Sequence, residues 1–485
     1  MLRSFRFANH RSFRDEQELC LLPVYDRAGR SVVQVAAIYG ANASGKSNVL
    51  DAFRFMAEAV QHSYAQWDPA GAIPRLPFRL SPEGAAEPSW FAVDVVAEGV
   101  RYEYGFSLDD GRVVEEWLHS YPQRKKRMLF SRKRDEITFG ASVGGPKASL
   151  SGMTRPSALL LTVAAHAGVE PLLAVYHWFR NAVRVVDLSA GPPSPPSTDA
   201  YRSLSEAAPR RAERLIELLK AADLGISGVR LPELSPIRIP IRFREWAEGS
   251  SPELTEQLGE YLRQLRSQQD AAKHSAMSTG PTVEGSPIVE WIQYEHPDRK
   301  DPAPITVWLA KKALEENEYG GARWLATAAD EPELQLVHGD VVLPMADESA
   351  GTRGWFALLW LALPVLDDGG LLVVDELDSH LHPLLTARLL QLFHSAETNP
   401  RGAQLIFAAH DTSLLGTSLS RETLRRDEVW FVEKDVDGSS KLFPLTRFRP
   451  RNGENPERRY LGGSYGAVPF LDDEAFGDPS GSVPA

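Results

Sequence analysis

Cysteine is almost missing: Cys20 is the only one in 485 residues. A lone thiol cannot close an intramolecular disulfide, so the fold rests on its core and suits a reducing compartment. Long hydrophobic runs are missing too. The longest apolar stretches, such as Trp355–Leu366 and Leu371–Val374, fall far short of a membrane span. The opening MLRSFRFANHRSF has no apolar segment like that of a secretory leader. These absences predict a cytoplasmic chain with no membrane partner. Positive charge is in deficit: 53 Lys and Arg face 65 Asp and Glu, for a formal net charge of −12. An acidic body is a poor general ligand for phosphate backbones, so any nucleic-acid contact must come from a local basic patch. There is no internal repeat. Neither charged helical stretch, Arg202–Leu224 or Pro252–Ala272, keeps heptads over several turns, which excludes a long coiled coil.

What is present suffices for two or three lobes, since 43% of the residues are hydrophobic. Leu2–Ala8 alternates and reads as a strand, with Glu18–Val24 as its hairpin partner. Val32–Tyr39 is a continuous apolar run, the pattern of a buried strand. Ser47–Val60 has helical spacing, and Phe91–Leu108 returns to strand alternation. A Pro-rich break, Ala190–Ser197, precedes a middle region whose topology the pattern leaves open, with strands at Ile288–Tyr294 and Ile305–Leu309. Order resumes near Leu334. Gly351–Leu366 reads as a helix, Leu371–Val374 as a buried strand, Pro383–Phe393 as a helix and Gln404–Ala408 as another buried strand. Val429–Lys434 and Lys441–Leu445 flank an Asp437-Gly438 turn, a hairpin signature. Strands alternating with helices imply an α/β fold with a parallel sheet. The predicted division is an N-terminal part at 1–140, an insertion at 141–330, a C-terminal part at 331–470 that completes the first, and a disordered tail at 471–485.

Gly40-Ala41-Asn42-Ala43-Ser44-Gly45-Lys46-Ser47 fits G-x-x-x-x-G-K-[ST] in full, between a strand and a helix. The glycines let the backbone curl so that successive N–H groups point inward at phosphate oxygens. Lys46 places a positive charge at the β- and γ-phosphates, and the Ser47 hydroxyl is a Mg²⁺ ligand. The following helix adds its N-terminal dipole, and Asn48 is counted with Gly40 and Asn42–Ser47 among the nucleotide-binding residues. Chance matches in this length number on the order of 0.02, so coincidence does not account for the motif. The expected cofactors are ATP and Mg²⁺.

Three further features follow in order. Asp375 and Glu376 end an apolar strand, where two carboxylates are costly unless they serve a cation or a reaction. Asp375 is placed to hold Mg²⁺ and Glu376 to orient and polarise the attacking water. His410 ends the next buried strand, where an imidazole can donate to a γ-phosphate. Before the long helix, Ser349, Gly351 and Thr352 stand in ESAGTRG. By local pattern this is equally an anion site and a helix cap with a glycine turn. His380 and His382 lie near the acids, but their spacing and the following Pro383 read as loop.

In this order the motifs resemble the ABC-type ATPases of the SMC, RecF and OLD kind. They are more similar still to OLD-like bacterial ATPases of antiphage systems such as Septu and PARIS. The closer match is carried by GANASGKSN, ESAGTRG, VVDELDSHLHP, QLIFAAHD, LRRDEVWFVEKD and RRYLGGSYGAVP. The resemblance covers residues 1–135 and 330–470. It implies an ABC-type P-loop ATPase head, a mixed sheet with flanking helices, interrupted by a mainly helical insertion. It also implies a head-to-head dimer in which Ser349 and Gly351 of one copy reach the γ-phosphate bound by Lys46 of another. The loop Asp378–His382 would carry that signal across. Only 75 residues follow His410, too few for the Toprim nuclease domain of OLD proteins. The expected role is therefore a slow, dimer-dependent ATPase that acts as sensor or scaffold for a separate effector, a nuclease or toxin. The competing expectation is an ATPase that clamps DNA directly, using the basic run Arg124–Arg134.

Overall fold

The computed structural model describes residues 1–231 and 334–469, apart from 26–29, 70, 190, 192, 194, 223, 417–422 and 450–452, together with four strands between 277 and 328. The expected helix at Pro252–Ala272, nearly all of the polar stretch Ser275–Gly285 and the tail lie outside these residues. The chain forms two compact units. One comprises Met1–Ser194 and Ser349–Ala485, the other Pro195–Glu348.

The strands run β1 Leu2–Ala8, β2 Gln17–Cys20, β3 Val35–Tyr39, β4 Ser89–Ala97, β5 Val100–Leu108, β6 Val113–Ser120, β7 Arg127–Lys133, β8 Glu136–Phe139 and β9 Val183–Asp187. In the second unit follow β10 Gly228–Arg230, β11 Met277–Ser278, β12 Ile288–Glu295, β13 Pro304–Ala310, β14 Leu325–Ala328, β15 Gln335–His338 and β16 Val341–Pro344. The first unit resumes with β17 Leu371–Asp375, β18 Gln404–Ala408, β19 Val429–Lys434 and β20 Ser440–Pro444. The helices used below are α1 Lys46–His62, α2 Leu160–His166, α3 Thr198–Ala207, α4 Pro209–Lys220, α5 Ala350–Asp368 and α6 Pro383–His394.

The first unit holds two sheets. Seven antiparallel strands run β2-β1-β4-β5-β6-β7-β8, and six run β20-β19-β3-β18-β17-β9. In the second sheet every pairing from β19 to β9 is parallel, and only β20 is antiparallel. That fits the sequence: β3 is VAAIY with all five residues buried, as a strand covered on both faces must be. In β1 the alternation is interrupted by an irregularity between Leu2 and Ser4. The slip explains how Leu2, three residues from Phe5, shares the buried face with Phe5 and Phe7. Helix α1 joins the two sheets. Its Phe53 packs edge-on against Phe5, with ring centroids 5.1 Å apart, and its Met56 and Val60 share one hydrophobic cluster with Leu371, Val373 and Ile406. Each fully buried aliphatic or aromatic side chain there contributes roughly 1.5–3 kcal/mol.

Strand β9 was not anticipated, although VRVVD is a strand-like run. It lies at the sheet's edge beside β17, so residues up to Ser194 belong to the first unit, past the boundary at 140. The insertion, expected to be mainly helical with short strands, contributes helices α3 and α4 and strands β10–β16 among its described residues. No helix among the described residues is long and apolar enough to cross a membrane.

Candidate functional site

Parallel strands present their carboxyl ends along one sheet edge, where ligands of open α/β sheets bind. Here β3 and β18 end just before the phosphate loop and His410, and β17 and β9 end in Asp375 and Asp187 themselves.

The loop from Gly40 to Lys46 is shaped by close approach. A side chain on Gly40 would collide with the carbonyl of Val432. Gly45 has φ +116°, and a Cβ there would sit 2.8 Å from both the Ser12 and Ser440 hydroxyls. Only glycine meets both demands without strain. Ala43 also lies in the left-handed region, at φ +60°. Two residues far away in sequence hold the loop from behind. The Ser440 hydroxyl donates to the Ser44 carbonyl at 2.5 Å and lies 2.8 Å from the Ser12 hydroxyl. The Asn48 amide donates to Ser12 Oγ at 2.7 Å, so Asn48 anchors the loop. Asn42 is exposed at its tip.

Lys46 is buried, and its ammonium donates to the carbonyls of Gly40 (2.9 Å) and Ala41 (3.2 Å). Burial lowers its pKa, while Asp375, Glu376 and Asp378 oppose that shift. Ser47 and Asp375 line one cleft together with Asp187, Arg11 and Arg54. Burial raises the Asp375 carboxyl above its ordinary range. The Ser47 hydroxyl opposes this, and the charges of Asp187 and Glu376 reinforce it. Glu376 leaves the strand with φ +55°. Its Oε1 lies 3.9 Å from His410 Nε2. One carboxylate ties the two loops together: Asp378 Oδ2 accepts from the backbone N–H of His410 (2.9 Å) and of Asp411 (2.5 Å). The structure thus gathers Gly40–Ser47, Asp375, Glu376 and His410 at one edge.

Ser349, Gly351 and Thr352 stand at the start of α5. Ser349 is the N-cap of α5, its hydroxyl accepting from the Thr352 N–H at 3.0 Å and lying 2.9 Å from Thr352 Oγ1. A Cβ on Gly351 would lie 3.1 Å from the His380 carbonyl. Among the described residues, no hydrogen bond or ion pair links these three to the phosphate loop. His382 caps α6, its Nδ1 accepting from the Leu384 N–H at 3.2 Å. Sequence reasoning missed Ser12, Ser440 and Asp187. It also missed Asp51 on α1, which accepts from His10 at 2.8 Å and pairs with Arg11 and Arg54. Burial alone would raise the Asp51 carboxyl, but hydrogen bonds from His10 and Arg11 prevail and hold it well below the carboxylate range.

These residues fit a nucleotide and a divalent cation. The Ser44 hydroxyl and Asp375 Oδ1 are buried with no hydrogen-bond partner, which is costly for polar atoms with nothing to bind. Residues 35–416 match the family described as "AAA domain, putative AbiEii toxin, Type IV TA system". The chain belongs to this AAA-domain family. The matched stretch contains the phosphate loop, Ser349, Asp375-Glu376 and His410. No curated protein matches the sequence. Among solved structures, the AAA-domain chain has a distant likeness to "Crystal structure of the SmcHead bound to the C-winged helix domain of ScpA". That likeness has 12% identity, covers 92% of this chain and 99% of that one, and has a TM-score of 0.38.

Proposed function

We propose that this AAA-domain protein binds and hydrolyses ATP with Mg²⁺, slowly and only as a dimer, and through that cycle controls a separate nuclease or toxin in antiphage defence. The observation that motivates the dimer is the lack of any hydrogen bond or ion pair between two sets of motif residues among the described residues. Lys46, Asp375, Glu376 and His410 converge, while Ser349, Gly351 and Thr352 cap another helix with no bond to them. A second copy supplies the missing half.

Lys46 would meet the β- and γ-phosphates once its bonds to Gly40 and Ala41 are exchanged for phosphate oxygens. Ser47 and Asp375 would hold Mg²⁺, which neutralises charge on those oxygens. Glu376 orients and polarises the attacking water, and His410, 3.9 Å from it, donates toward the γ-phosphate. Asp378 couples the two loops, so a change at His410 reaches Asp378–His382 and the His380 carbonyl beside Gly351.

A defence setting agrees with the family's description as a putative toxin of a toxin–antitoxin system and with the motifs shared with antiphage ATPases; the separate effector rests on those motifs alone. Direct DNA clamping has less support. Within Arg124–Arg134 only Arg132 of the seven basic residues is buried, where it is bonded to backbone carbonyls; the other six are exposed, and this run is the one feature in favour of that reading. The test is Glu376→Gln. It should retain ATP, accumulate as dimers and lose about a hundredfold or more in hydrolysis. Wild-type turnover in this variant sinks the assignment of Glu376.

A further inference from the structure

The cleft beside the phosphate loop contains a carboxylate with no task so far. Asp187 ends β9, which runs parallel to β17 with Asp187 directly opposite Asp375. Opposed residues on neighbouring strands project from the same face, and strands lie about 4.8 Å apart. The two acids therefore start side by side, and both line the cleft that Ser47 closes from α1. Like charges so placed are unfavourable unless a cation lies between them. The two behave differently. Asp375 is raised mainly by burial and has a buried oxygen without a partner. Asp187 is exposed and held below the usual carboxylate range by the side chain and backbone N–H of Ser189, the latter at 2.9 Å, with a smaller contribution from Arg54. The Ser189 N–H thus fixes the Asp187 carboxylate in the cleft, on the strand opposite Asp375.

We propose that Asp187 is a second protein carboxylate for the divalent cation of this site, acting beside Asp375 and across from Ser47. The proposal rests on the nucleotide–metal reading of the cleft. Asparagine at this position keeps an oxygen for the Ser189 N–H and removes only the charge. The experiment titrates Mg²⁺ against binding of a fluorescent non-hydrolysable ATP analogue, with Mn²⁺ uptake followed by electron paramagnetic resonance. In Asp187→Asn the half-saturating Mg²⁺ and Mn²⁺ concentrations should rise about tenfold or more, while analogue binding in chelator stays level or tightens. Asp187→Glu, which keeps the charge, should return most of the way to wild type. If the Asp187→Asn curves overlay wild type, or if Asp187→Glu fails like Asp187→Asn, the proposal is overturned. Lys46→Ala separates the two readings. If that variant binds the analogue as wild type does, the nucleotide reading itself fails, whatever Asp187 does.

Discussion

Ser440 illustrates how much one hydroxyl can organise. It sits at the start of β20, 396 residues from Ser44, yet donates to the Ser44 carbonyl while its partner Ser12 receives Asn48. The phosphate loop is written in eight consecutive residues and was legible at once. Its back support was not, because nothing local to Ser12 or Ser440 says that a fold will bring them together. The same holds for Asp187, whose significance appears only when β9 pairs with β17. By contrast, Glu376 and His410 were legible from their strand-end positions, and they meet at 3.9 Å. Ser440→Ala removes one buried hydrogen bond, worth about 1 kcal/mol. Where that loss falls on the loop alone, nucleotide affinity should weaken about fivefold, measurable by titration with a fluorescent analogue. Unchanged affinity would mean that the loop holds its shape without Ser440.

The elements of the antiparallel sheet depend on a buried ion pair that composition conceals. Glu116 on β6 caps the N-terminus of α2, accepting from the N–H groups of Leu160 (2.6 Å) and Leu161 (2.9 Å) and from the Tyr104 hydroxyl (3.1 Å). Arg132 on β7 lies 3.7 Å from Glu116 and donates to the Ala158 carbonyl at 2.6 Å. The side chains and backbone around Glu116 come from β5, β7 and α2, so the sequence showed only a basic run where the structure has an inner strand. The paired strands β4 and β5 were readable because their alternation is local. Glu116→Ala would leave Arg132 buried and unpaired and strip the α2 cap, at a cost of roughly 3–5 kcal/mol. Its neighbour Glu115, on the other face of β6, should cost no more than about 0.5 kcal/mol on the same change. Denaturant melts of the two variants check this. Equal losses would contradict the buried-pair account.

Across the whole molecule, the order of motifs predicted an ATPase head interrupted by an insertion, and the chain does leave and re-enter its first unit at Ser194 and Ser349. The exact exit was not legible, since the edge strand β9 has to find β17 before it counts as part of the head. The central claim concerns what one copy lacks. Its Ser349 and Gly351 sit at the start of α5 with no bond to its own Lys46, Asp375 or Glu376. The most direct measurement is the steady-state ATPase rate per subunit over a wide range of protein concentration, with association state followed in parallel. The rate per subunit should be near zero for the monomer and climb to a plateau as dimers form. A rate per subunit that is independent of concentration in a chain that stays monomeric would contradict the account.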